Sequence, residues 1–93
     1  MKVIIRASAY TDLEAIYDWI AKDNPEIARS VVKRIHDAVR DKIIHFPLSG
    51  RKGRSSGTRE WPMRALPYII VYKVDARRRA LTVLGVVHGR RNR

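Results

Sequence analysis

Apolar and polar positions alternate along the chain in two distinct rhythms, and the change of rhythm locates the elements. Val3-Ile4-Ile5 is a short β-branched run ending at Ala7-Ser8, which predicts a strand. Ser8 suits a helix N-cap, with Asp12 and Glu14 near the positive end of the helix dipole. Leu13, Ile16, Tyr17 and Ile20 then follow the i, i+3, i+4, i+7 spacing of one helical stripe. Asp23-Asn24-Pro25 interrupts it, Asn24 suiting an N-cap and Pro25 the first turn of a second helix. Ile27, Val31, Ile35, Ala38, Val39 and Ile43 carry the helical period to about Phe46, and Pro47 and Gly50 stop it. So short a link between two amphipathic helices implies an antiparallel αα-hairpin.

Beyond Gly50 the rhythm is that of strands. Residues 49–58 hold glycines and serines with no large apolar side chain and read as a loop. Three strands are predicted at about 58–63, 67–74 and 80–88, with turns at 64–66 and 75–79. Tyr68-Ile69-Ile70-Val71-Tyr72 and Leu81 through Val87 are nearly continuous apolar runs, as central strands covered on a face require. The expectation is an α+β fold in the order β-α-α-β-β-β, an antiparallel sheet packed against an αα-hairpin. No repeat or boundary divides the chain, so residues 1–93 read as a single domain.

Charge changes this picture from a fold to a surface. Residues 1–50 carry eight Lys/Arg against seven Asp/Glu, whereas residues 51–93 carry twelve against only Glu60 and Asp75. Nearly all of the net charge of +11 therefore sits in the second half, as on a surface that meets an anionic partner. Three groups stand out: Arg51, Lys52 and Arg54 on the loop; Arg77, Arg78 and Arg79 at a hairpin turn; Arg90, Arg91 and Arg93 in the tail. For the turn, an ordinary solvated surface is the favoured reading; the loop and tail have no nearby acid. Polyanion contact there would weaken steeply with salt. Trp19 and Trp61 are large enough to stack on bases. Trp19, beside the first apolar stripe, is expected in the core or an interface.

Several chemistries are excluded. The chain has no cysteine, which removes disulfides and thiolate metal sites. His36 and His45 lie nine residues apart on one helix, hence on opposite faces, and His88 alone completes no zinc site. Neither a phosphate-binding glycine loop nor a nucleophile elbow is present. The N-terminal apolar run is too short for a signal peptide and nothing approaches a membrane span, so a soluble cytoplasmic protein is expected, with no membrane partner. His88 ends an apolar strand beside cations. It could act as a general acid or base on a phosphodiester, or simply hydrogen-bond backbone where the sheet ends, and the second reading is favoured.

The ordered set Asp12-Leu13-x-x-Ile16, Asn24-Pro25-x-x-Ala28, Phe46-Pro47-x-x-Gly50-Arg51, Gly57-Thr58-Arg59-Glu60, Pro67 through Tyr72 and Val87-His88-Gly89-Arg90-Arg91 resembles the RelE/ParE superfamily of bacterial toxins. The resemblance spans nearly the whole chain. It implies the toxin half of a type II toxin–antitoxin pair, with a helical hairpin on an antiparallel sheet, neutralised in a hetero-oligomer by its cognate antitoxin. That antitoxin is expected to be acidic or to carry an amphipathic segment. RelE-like members cleave mRNA in the ribosomal A site; ParE-like members poison DNA gyrase. In nuclease members with a histidine site, an arginine lies on the strand at 67–74, where this chain has Ile69, and an aromatic residue often follows the histidine, where it has Gly89. The resemblance therefore favours a ParE-like toxin acting on a DNA gyrase–DNA complex through Arg51, Lys52, Arg54, Arg90, Arg91 and Arg93, without metal or cofactor. The alternative is a ribosome-dependent mRNA endoribonuclease built from His88, Arg59, Arg64 and Glu60.

Overall fold

The computed structural model describes residues 1–89, with strand β1 at Lys2–Ile5, helices α1 at Ala7–Ala21 and α2 at Pro25–Ala38, and a π-helical turn at Val39–Ile43. Strands β2 (Arg51–Lys52), β3 (Arg59–Pro62), β4 (Tyr68–Asp75) and β5 (Ala80–His88) follow. They form one sheet in the order β1-β5-β4-β3-β2, with the helical hairpin on one face. Leu13, Val31, Ile35 and Ile43 from the helices meet Ile70, Tyr72, Leu81, Val83 and Val86 from the two central strands.

The α+β architecture agrees with the expectation, but the sheet is mixed rather than wholly antiparallel. Strand β1 runs parallel to β5, from Lys2 opposite Ala80 to Ile5 opposite Val83, and the other pairs are antiparallel. A parallel neighbour needs a long crossover, and the helical hairpin with its π-turn supplies half of it. Within the expected loop at 49–58, Arg51 and Lys52 form a two-residue strand opposite Glu60 and Arg59.

Asn24 caps α2 as anticipated, its side chain accepting from the Ile27 N–H at 3.1 Å, with Pro25 at the first helical position. Ser8 does not cap α1. The helix begins at Ala7 after Arg6, and the Ser8 hydroxyl donates instead to the Leu84 carbonyl at 2.6 Å. The reason lies in the sheet: β1 ends opposite Val83, so beyond it the outer backbone of β5 has no strand beside it. Helix α1 fills the gap. The Arg6 N–H donates to the Val83 carbonyl at 3.0 Å, and Asp12 accepts from the Val86 N–H at 2.9 Å. A side chain at Gly85 would crowd the Asp12 carboxylate. The second helix also departs from a regular period: its end widens into the π-turn, where Ile44 N–H reaches the Val39 carbonyl at 3.0 Å while Val39 and Ile43 stay buried.

Between α2 and β2 the chain forms a strap, residues 46–50, tied to the sheet from below. The fully buried Tyr72 donates its hydroxyl to the Pro47 carbonyl at 2.8 Å and accepts from the Gly50 N–H at 3.0 Å. Arg59 donates to the Leu48 carbonyl at 3.1 Å and the Gly50 carbonyl at 2.9 Å. A Cβ at Gly50 would fall on the Tyr72 hydroxyl, which accounts for glycine there.

Tyr72→Phe leaves the Gly50 N–H and the Pro47 carbonyl without this partner, so it should cost about 1–3 kcal/mol in urea unfolding. Burial also raises the Tyr72 phenol above its ordinary value of 10.0, so the folded state holds the proton more tightly than the unfolded chain. This contribution is fully present below pH 10.0 and is lost as pH rises from there through the folded value. The stability gap between wild type and Tyr72→Phe should therefore shrink above that pH, as alkaline denaturation curves of the two proteins would show.

Candidate functional site

His88 is the last residue of β5 and lies opposite Tyr68, their rings in edge-to-face contact at 5.8 Å between centroids. Both border a groove of about 520 Å³ beneath α1, whose apolar wall includes Ile16, Trp19, Ile20 and Pro67. Trp19 is not in the core: it is 66% exposed, with the Lys22 ammonium over its ring at 5.4 Å. Trp61 is half-buried and packs against the core.

Of the four residues proposed for a nuclease, Arg59 and Glu60 are neighbours on β3, Arg64 lies in the turn between β3 and β4, and His88 ends β5. Arg59 lies opposite Tyr72, whereas His88 lies opposite Tyr68. Four positions along β4 separate those registers by roughly 13 Å. The Arg59 guanidinium is committed to the strap carbonyls of Leu48 and Gly50. Glu60, next to Arg59 on β3, projects from the opposite face and bonds to Arg51 across the strand pair, with an Arg51 Nη2 to Oε1 separation of 3.3 Å. Arg64 lines a separate groove between α2 and β3, with Arg34, Asp37, Asp41 and Trp61, and its carbonyl accepts from Arg34 at 3.1 Å. Ile69, paired with Val87, is buried and on the face opposite to His88. Arg59 and His88 thus sit at different registers, and Arg64 and His88 line different grooves.

Lys33 and Arg40 on the helical side and Arg51 on the loop are paired with acids. On α2 and the π-turn, Lys33 and Arg40 bond to Asp37 at 2.8 Å each, and Arg40 bonds to Asp41 at 3.0 Å. The Lys33 hydrogen bond holds the Asp37 carboxyl below its ordinary range, and the Arg40 hydrogen bond does the same for Asp41. On the loop, Arg51 is paired with Glu60, while Lys52 and Arg54 are exposed and make no ion pair among the described residues. The loop is braced by the Gly53 N–H to Thr58 carbonyl bond at 2.9 Å and the Thr58 hydroxyl to Ser55 carbonyl bond at 2.6 Å. It closes a cleft of about 390 Å³ whose lining includes Leu48, Lys52, Ser55, Ser56, Arg59 and Val74. Arg90, Arg91 and Arg93 lie outside the described residues.

Sequence reasoning missed the strap. Phe46 and Leu48 are each 67% exposed, although Phe46 reads from the sequence as the end of an apolar helical stripe. The signal was the Phe46-Pro47-x-x-Gly50 motif itself, whose proline and glycine are the two residues bound by the Tyr72 hydroxyl.

The chain matches the family model described as the ParE toxin of type II toxin–antitoxin systems, parDE, over residues 3–93. It is 43% identical over 76 residues to the protein named Putative toxin Y4kP of Sinorhizobium fredii, covering 82% of this chain and 75% of that one. Its fold resembles a chain of the chromosomal ParDE TA system from P. aeruginosa, with a TM-score of 0.81 at 23% identity over 95% of both chains. It also resembles a chain of the toxin–antitoxin complex RelBE2 from Mycobacterium tuberculosis, with a TM-score of 0.62 at 24% identity over 94% of this chain and 95% of that one. The isolated E. coli RelE toxin gives a TM-score of 0.56 at 13% identity over 98% and 86%. The match along nearly the full sequence, on this helical hairpin and sheet, settles the family: the chain belongs to the ParE toxins of type II toxin–antitoxin systems.

Proposed function

We propose that this toxin stops growth in the cytoplasm by poisoning DNA gyrase on DNA, meeting the complex with Lys52, Arg54 and the Arg51 end of its basic loop, together with Arg90, Arg91 and Arg93. The observation that carries this reading is the commitment of Arg59 to the strap, about four strand positions from His88. Cleavage of RNA by 2′-OH attack would need a base, an acid and a cation around one phosphate. His88 and Arg59 sit at different registers and Arg64 lines a different groove from His88, while Lys52 and Arg54 on the loop make no ion pair among the described residues, as suits contact with a polyanion.

The same surface division supports neutralisation by a bound antitoxin in a hetero-oligomer. The apolar groove under α1, with Ile16, Trp19 and Ile20, suits an amphipathic segment, and acidic residues on that segment would complement the positive chain. The similar ParDE toxin–antitoxin system and RelBE2 toxin–antitoxin complex support such a partnership.

The test is purified gyrase with supercoiled plasmid and ATP, scored for linear DNA and lost supercoiling. Wild-type toxin should trap double-strand breaks, and the Lys52→Glu, Arg54→Glu double variant should need at least about tenfold more protein for the same yield. His88→Ala should stay within about threefold of wild type, whereas a nuclease losing a general acid or base would fall by about 10²–10⁴. Ribosome-dependent cleavage of mRNA, abolished by His88→Ala and with gyrase unaffected, would overturn the proposal.

A further inference from the structure

The strap holds two large apolar side chains in water on a rigid mount. The Phe46 carbonyl accepts from the Ser49 N–H at 3.0 Å and from its hydroxyl at 2.6 Å. The next two carbonyls, of Pro47 and Leu48, are bound by Tyr72 and Arg59, and the Gly50 carbonyl by Arg59 again. With these carbonyls bound and Pro47 fixing φ, the strap has little freedom to tuck Phe46 or Leu48 away. Their exposure is a built feature, and it lies beside the basic loop: Leu48 lines the same cleft as Lys52.

We propose that Phe46-Pro47-Leu48 is a preformed wedge that enters a base step of duplex DNA while Lys52 and Arg54 contact the flanking phosphates. The residue types are those that unstack base steps in DNA-bending proteins, apolar and stiff, set next to cations. The cleft favours nucleic acid over an acidic protein segment. Its lining contains no acid and brings Lys52 and the Ser55 and Ser56 side chains beside the apolar Leu48 and Val74. Cation and hydroxyl donors suit phosphate, and the apolar side chains suit sugar and base edges. The wedge rests on the reading of the loop as DNA-facing, and it adds a salt-independent, deformation-coupled contact to that electrostatic one.

Binding of the purified toxin to an end-labelled mixed-sequence duplex, followed by anisotropy across a salt series and by end-to-end energy transfer for bending, separates the two claims. Phe46→Ala and Leu48→Ala should each weaken binding about tenfold and reduce bending, with the salt slope unchanged. Lys52→Gln and Arg54→Gln should each lower the slope by about 0.9. Leu48→Met should behave as wild type, and because both apolar residues are exposed, all variants should melt with the wild type. If the slope responds to the cations but Phe46→Ala and Leu48→Ala bind and bend as wild type, the wedge is overturned and the DNA-facing loop stands. If the cation variants leave the slope unchanged, the loop reading fails and the wedge with it. If the apolar variants lose affinity for isolated gyrase subunits and not for DNA, the strap is a protein contact and the inference is wrong.

Discussion

The buried hydroxyl of Tyr72 fixes the strap from which the basic loop extends. Without it, the chain leaving α2 would have two polar backbone groups, the Pro47 carbonyl and the Gly50 N–H, turned toward a core that could not solvate them. With it, the strap is anchored to the centre of the sheet, and the direction in which the chain enters β2 is set. Arg59 reinforces the anchor from the neighbouring strand. Everything downstream, including the pairing of β2 with β3 and the projection of the basic loop, starts from that point. One consequence is chemical. An arginine spent on two backbone carbonyls is not available to a scissile phosphate.

A second set of ties fixes the helices. The β1 strand is too short to cover β5, and Ser8 and Asp12 complete the cover with side chains. The αα-hairpin is thus oriented by hydrogen bonds as well as by the apolar contact of Leu13, Val31 and Ile35 with β4 and β5. This orientation leaves the groove beneath α1 open at the His88 end, between an exposed tryptophan and the edge of the sheet. Asp37 and Asp41 engage Lys33 and Arg40 on the helical face, while Lys52 and Arg54 on the loop make no ion pair among the described residues. A partner that reads apolar surface and one that reads positive charge therefore meet different parts of the same small molecule.

Much of the fold was legible in the sequence because its signals are local. The 3.6-residue stripe, the Asn24-Pro25 start and the two apolar runs each act within a few residues, and all four produced the elements expected. What escaped was non-local. Nothing near Val3-Ile4-Ile5 indicates that its neighbour is Ala80–Val83, nor that it runs parallel to it. Ser8 has the chemistry of a cap, and only the position of Leu84, 76 residues away, diverts it. The two-residue strand at Arg51–Lys52 is made by its partner rather than by its own propensity. For the site, the candidate residues could be chosen by type, but the distance from Arg59 to His88 emerges only once the registers of β3 and β5 on β4 are known. The exposure of Phe46 was hidden because an aromatic side chain in an apolar period reads as core.

The central claim is that the basic loop faces DNA held by gyrase. A photo-crosslinking side chain at position 54 of the toxin, with a second at position 17 on the helical hairpin as the control, tests it in a purified gyrase–plasmid reaction carrying radiolabelled DNA. Transfer of the label to the toxin from position 54 and not from position 17 is the predicted result. Crosslinks from position 54 to gyrase protein alone, with no labelled DNA attached, would contradict the account.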